Sequence, residues 1–140
     1  GGVVVEPSDS GVNNAVRFGM EALGGGGFLV LPSDLPYLAA SDIHSLLASR
    51  DGGADVVISP SAAFDGTNAY LFSSKDEVPL SYDDDSFWNH VEGVGAAGLK
   101  LSVSTRRGLV NDVDSVDDLR LLAKSNRRTE SAKIARRALD

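Results

Sequence analysis

The chain is 140 residues, enough for one domain with a core of its own. Its 20 acidic residues against 13 basic give a net charge of −7, which excludes a broad basic face for nucleic acid and suits a protein that uses a cation to receive an anionic substrate. The absence of cysteine excludes disulfides and thiolate metal sites, and two histidines argue against a histidine-rich zinc centre. Nothing resembles a signal peptide or a membrane span, so a cytoplasmic protein that does not engage a membrane is the expectation.

Val3–Val5 reads as a short buried strand ending at Pro7, followed by turn chemistry over Ser8-Asp9-Ser10-Gly11. Asn13 is placed as the N-cap of an amphipathic helix to Leu23 that carries Val16, Phe18 and Met20. Gly24–Gly27 end it; they follow a helix and precede a strand, the reverse of a phosphate loop, and read as a surface connection. Phe28-Leu29-Val30-Leu31 is then a strand buried on both faces, stopped by Pro32. Asp34 follows, held between Pro32 and Pro36 just past the strand's carboxyl end, where open α/β sheets bind their ligands. A carboxylate fixed there is a candidate to hold a hard cation that itself carries phosphates, against the plainer reading of a local hydrogen-bond acceptor in a strand–loop–helix junction.

A helix starting at Ser41 or Ala40 runs to about Arg50, with His44 on its surface and Asp51-Gly52-Gly53 closing it. Ala54–Ser59 is the third apolar strand, and Gly66-Thr67-Asn68 leads into a fourth over Ala69–Phe72. The alternation of strands and helices predicts a mainly parallel sheet with helices on both faces. Asp84 or Asp85 caps a helix through Trp88, read as core, and Val91; its free N–H groups and the Ser86 hydroxyl suit an anion. Leu99–Ser104 alternates as an edge strand does. Arg106 to Val110 leads by a short extended segment to Asp112 and Asp114, whose side chains a period of two points the same way. Ser115 and Asp118 form a capping-box-like start to a helix through Leu122, and a basic helical tail follows, read as a solvated face.

Asp34 and Asp112 thus both follow extended segments at one expected edge of the sheet. Magnesium takes one or two carboxylates and leaves its other positions to water and phosphates, so the pair could hold a nucleoside triphosphate for attack at its α-phosphorus. No Ser/His/Asp set is evident, and none is needed where positioning and charge stabilisation do the work.

The motifs VEPSDSGVNNAV, LVLPSDLPYL, GTNAYLF, SYDDDSFWNH and LVNDVDSVDDL, in this order, resemble the CofC/FbiD family. These are guanylyltransferases that join GMP from GTP to 2-phospho-L-lactate or phosphoenolpyruvate, with release of pyrophosphate, in biosynthesis of the deazaflavin coenzyme F-420. The resemblance implies a single glycosyltransferase-A-like, Rossmann-like nucleotidyltransferase domain over residues 1–140. It implies magnesium on Asp34 and Asp112, the phospho-acid on Thr67, Ser86 and the position of Asp83, and the nucleotide near Asn13. Asp83 stands where the family usually has glycine, so only its backbone N–H is expected to meet an acid. Family domains open with a strand and a basic loop that grips the triphosphate, for which this sequence has no counterpart. It therefore corresponds to the C-terminal two thirds of a domain, expected to bind GTP poorly and to self-associate, possible homo-oligomers included. The alternatives are a related nucleotidyltransferase of molybdenum-cofactor or sugar-nucleotide type, and a truncated non-catalytic binding domain.

Overall fold

The computed structural model describes residues 11–74, 76 and 78–139. The strand expected at Val3–Val5 and the turn through Ser10 lie outside the described residues. The chain runs α1 (Val12–Leu23), β1 (Gly27–Val30), α2 (Ala40–Asp51), β2 (Val56–Pro60), β3 (Thr67–Ser73), α3 (Ser86–Ala96), β4 (Leu101–Val103), α4 (Arg107–Val110), α5 (Val116–Lys124) and α6 (Glu130–Leu139).

The four strands form one sheet in the order β1-β3-β2-β4. β3 runs antiparallel to both β1 and β2, and β4 runs parallel to β2. The sheet is therefore mixed, which corrects the expectation of a mainly parallel one. The cause lies between β2 and β3, where only residues 61–66 intervene. A parallel crossover needs a dozen residues or more, so a connection this short must reverse the chain. β1, β2 and β4 share one direction, as their helical crossovers require, and β3 inserts between β1 and β2 the other way.

Helices do cover both faces. Phe28, Val56, Ile58, Tyr70 and Phe72 point to one side and pack with Phe87 and Val94 of α3 and with Met20 of α1. Val57, Ala69 and Leu71 point to the other, against Leu46 of α2 and Leu109 of α4. This is the period-two alternation of strands buried on both faces. A third cluster joins Tyr37 to Leu122 of α5 and to Ala132 and Ala135 of α6.

Local details differ from expectation in physically readable ways. Gly11, at φ 83°, is the residue before α1, and Asn13 lies inside its first turn. Gly24 ends α1 in a left-handed conformation, with Gly25 and Gly26 also at positive φ, so this connection demands glycine. Ala39 precedes α2, and Asp42 supplies the side chain that accepts its N–H at 3.0 Å. Trp88 is 52% exposed rather than core, because Ser86, Phe87, His90 and Val94 form the buried stripe of α3 and Trp88 stands beside it, edge-on to Phe87. Residues 107–110, after β4, form a helical turn, α4, and the chain becomes extended at Asn111 on its way to Asp112. The basic tail is only partly a solvated face. The Arg136 guanidinium donates to the carbonyls of Ala123, Ser125 and Arg127, and the guanidinium groups of Arg127 and Arg107 lie over the Tyr37 ring at 5.2 and 5.6 Å.

α4 is held by one buried carboxylate. Asp42, 5% exposed, accepts both the Ala39 N–H and the Arg106 Nε–H, the latter at 2.7 Å. A Cβ built on Gly108 would lie 1.9 Å from Asp42 Oδ2 and 2.9 Å from the Tyr37 carbonyl oxygen, so α4 and α2 approach as only glycine allows. Gly108→Ala should therefore cost about 1–3 kcal/mol of stability in urea denaturation. Gly95→Ala in α3, where an added Cβ meets nothing within 4 Å, should be neutral or slightly stabilising. Equal effects of the two changes would contradict this packing.

Candidate functional site

The strand directions decide which loops meet. Asp34 follows the carboxyl end of β1, Ser61–Gly66 follow that of β2, and the segment through α4 to Asp112 follows that of β4. Because β3 is reversed, its first residue, Thr67, lies at this same edge. Asp34, Asp65 with Thr67, and Asp112 thus reach one edge from three separate stretches of chain.

The Asp34 loop and the 111–114 loop are joined directly. The Val113 N–H donates to the Asp34 carbonyl at 3.1 Å. Asp34 lines a cleft with Pro36, Val113 and Leu119. Asp112 lines the adjoining one with Tyr37, Arg107 and Asp118. Asp114 lies within the electrostatic reach of both Asp34 and Asp112. Partial desolvation, and then the negative charges of Asp112, Asp34, Asp118 and Asp65, hold its carboxyl above the usual range. No ion pair among the described residues involves Asp34, Asp112 or Asp114. Arg107 and Lys124 also line the Asp112 cleft, but neither pairs with these carboxylates, which leaves their oxygens available to a hard, oxygen-loving ion. No group of three or more protein ligands converges on one point among the described residues. Such an ion would rest on one or two carboxylates and complete its shell with water and phosphate, as magnesium does. Asp114 is the residue that the sequence reading undervalued; its signal is the shared face with Asp112.

The second half of the site is built on a β-bulge. Ser59 pairs with Ala69 and Pro60 with Thr67, so Asn68 is the extra residue on β3. Strict alternation would place Thr67 with Ala69 and Leu71; the bulge re-aims it. Its hydroxyl lies 2.9 Å from His90 Nδ1 and 3.3 Å from Ser86 Oγ, all three side chains being buried. Asp65 ties this half to the first. Its carbonyl accepts the Phe87 N–H at 3.2 Å, and its carboxylate, held low by the Ser61 hydroxyl and then the Gly66 N–H, contributes to the field at Asp114. Phe64 and Asp85 are the non-glycine residues at positive φ among those described, at 62° and 56°. Phe64 packs edge-on against Phe87, and Asp85 immediately precedes Ser86, so both strained positions adjoin this buried cluster.

Asp85 occupies the cap position of α3 without a side-chain cap hydrogen bond. Asn13 uses both ends of its amide. Oδ1 accepts the Tyr82 N–H at 2.8 Å and Nδ2 donates to Asp83 Oδ2 at 3.2 Å. The residue assigned to the nucleotide therefore touches one assigned to the acid, and α1 is tied to the loop before α3. His90, without a role in the sequence reading, is the other residue that reading missed. Its signal is the spacing of four from Ser86, one turn along the same helix face.

The comparisons with known proteins agree with this architecture. The family described as "Guanylyl transferase CofC like" matches residues 1–136. A phosphoenolpyruvate guanylyltransferase of Rubrobacter xylanophilus is 35% identical over 118 residues, covering 82% of this chain and 58% of that protein. A 2-phospho-L-lactate guanylyltransferase of Methanocaldococcus vulcanius is 25% identical over 115 residues, covering 82% and 52%. The chain thus spans little more than half the length of these curated relatives. A solved structure from Desulfovibrio desulfuricans G20, provisionally described as a nucleotide-diphospho-sugar transferase, superposes with a TM-score of 0.67 at 21% identity, over 89% of this chain and 56% of that one. That likeness establishes the α/β fold. No helix among the described residues is long and apolar enough to cross a membrane.

His90 gives a pH prediction. Burial lowers its pKa to about 4 from 6.5, so between those values the unfolded chain binds a proton that the folded one refuses. Stability should fall as the protein is acidified from pH 7 to pH 5, and His90→Asn should remove that part of the slope in urea denaturation at the two pH values. An unchanged slope in the variant would contradict a buried neutral imidazole.

Proposed function

The chain belongs to the CofC-like guanylyl transferase family, and on that premise we propose that it carries the metal and acid-binding part of a guanylyltransferase acting on a phosphorylated three-carbon acid, phosphoenolpyruvate or 2-phospho-L-lactate, in coenzyme F-420 biosynthesis. What supports the reading is that the Val113 N–H on the Asp34 carbonyl joins the loops of Asp34 and Asp112 at the sheet edge where Thr67 and Ser86 also lie.

In this reading a phosphate oxygen of the acid attacks the α-phosphorus of GTP, pyrophosphate leaves, and the GMP moiety is joined to the acid through a diphosphate. Asp34 and Asp112 hold magnesium, with Asp114 beside them adding negative charge. The ion, when bound, supplies the positive charge that the triphosphate needs. Thr67 and Ser86 hold the acid with hydroxyl groups, and the N-terminus of α3 faces its negative charge with backbone N–H groups. Asp83 is exposed next to this pocket, so its carboxylate can stay in water while its backbone serves the acid. Holding both reactants along one edge converts their encounter into a reaction between neighbours.

The complete protein, given magnesium, GTP and one of the two acids, should release pyrophosphate, and CTP or UTP should substitute poorly. Asp34→Asn and Asp112→Asn should each lower kcat by about a hundredfold or more, the order expected when charge stabilisation at a transferring phosphoryl group is lost. Thr67→Val and Ser86→Ala should raise the KM of the acid by about tenfold, one hydrogen bond to a charged group, with GTP affinity nearly unchanged. A fall in GTP affinity instead would move these two residues to the nucleotide side.

A further inference from the structure

His90 is fully buried on the inward stripe of α3. Its ring stacks on Tyr70 with centroids 4.5 Å apart and meets the Tyr82 ring edge-on at 4.9 Å, which fixes its plane. Nε2 lies 3.0 Å from the Ser81 backbone nitrogen. A backbone N–H can only donate, so Nε2 accepts. Burial keeps the imidazole neutral at pH 7. A neutral imidazole whose Nε2 accepts carries its proton on Nδ1. That nitrogen is 2.9 Å from Thr67 Oγ1, so His90 donates to the threonine hydroxyl.

This direction has a consequence for the hydroxyl pair. Ser86 Oγ is 3.3 Å from Thr67 Oγ1, and each hydroxyl brings one proton. One proton can bridge the two oxygens. The His90 ring, itself a donor here, cannot accept the other, which remains for an incoming acceptor. The opposite tautomer would set a ring N–H against the Ser81 N–H. It would also draw the Thr67 proton into the ring, so that the pair offered lone pairs to an anion.

We propose that His90 is a positioning residue for anion recognition: fixed by the Ser81 N–H on Nε2, it donates from Nδ1 to Thr67 and makes the Thr67–Ser86 pair a net donor to an oxygen of the phosphorylated acid. This rests on the assignment of Thr67 and Ser86 to the acid made above. His90 does not touch the acid; it sets the direction in which the two hydroxyls point their protons.

The test has two arms on the complete protein. Long-range ¹H–¹⁵N spectra of the imidazole rings, with His90 assigned by the signal lost in His90→Asn, should show a neutral ring protonated on Nδ1 at pH 7. In steady-state kinetics His90→Phe, which keeps an aromatic ring but no donor, should raise the KM of phosphoenolpyruvate or 2-phospho-L-lactate about tenfold with little change in the KM of GTP. His90→Asn, which can present an amide N–H near the Nδ1 position, should recover most of that loss. A ring protonated on Nε2, or Phe and Asn variants equally impaired toward both substrates, overturns the proposal while an active wild type leaves the function reading standing. A wild type that is inactive with both acids overturns that reading and removes the ligand from this proposal with it; the spectra alone then report the tautomer. If His90→Phe does not fold, the wild-type spectra still decide the direction of the hydrogen bond.

Discussion

The site depends on the carboxylate of Asp42. Buried at the start of α2, it accepts the Ala39 N–H, pairs with Arg106, and abuts the bare Cα of Gly108. A buried carboxylate must be satisfied on its lone pairs, and here its partners come from the starts of α2 and α4. α2 follows the Asp34 loop and α4 precedes the Asp112 loop, so clamping α2 to α4 sets the two loops side by side. The Val113 N–H on the Asp34 carbonyl is the outcome. Asp42 therefore helps to fix the relative placement of the loops that carry Asp34 and Asp112.

The second constraint is the reversal at residues 61–66. A strand running the other way brings its first residue, not its last, to the ligand edge. Thr67 arrives there for that reason, and the bulge at Asn68 turns it toward His90 and Ser86. The loop that makes the reversal contributes Asp65, whose carbonyl holds the start of α3 in place through the Phe87 N–H. The Asp34–Asp112 side of the edge is built on the crossovers of the parallel strands and the Thr67–Ser86 side on the single antiparallel insertion, and the charge of Asp65, beside Thr67, reaches Asp114.

Much of this was legible in the sequence. Phe28–Leu31 reads as a strand buried on both faces and Ala54–Ser59 as an apolar strand; the structure packs their alternate residues into two clusters on opposite sides, fully burying the central β2 and, in the edge strand β1, Phe28 alone. The Ser115–Asp118 cap appears as expected, with the Ser115 hydroxyl accepting the Asp118 N–H and the Asp118 carboxylate accepting from Ser115. The mainly parallel sheet was a misreading of information that was present: no helix separates β2 from β3, and that absence alone requires a hairpin. The hydrophobicity of Trp88 points to the core, but Phe87 and His90 define the buried face of α3, and Trp88 falls off it. The bulge, the Asp42 clamp and the His90 tautomer were not legible, because each depends on partners brought together from distant parts of the chain. The family resemblance supplied what periodicity could not, namely which of the 20 acidic residues to examine.

If the Asp34 loop and the 112–114 loop together receive the proposed cation, manganese(II) titrated with GTP into the ¹⁵N-labelled complete protein should report it through paramagnetic broadening of backbone amides. Asp34 and Asp112–Asp114 should broaden first, Asp65, Thr67 and Ser86 should follow, and Gly53 and Ser74 at the far edge should stay sharp. Broadening centred instead on the far edge, around Asp55 or Asp76, would contradict it.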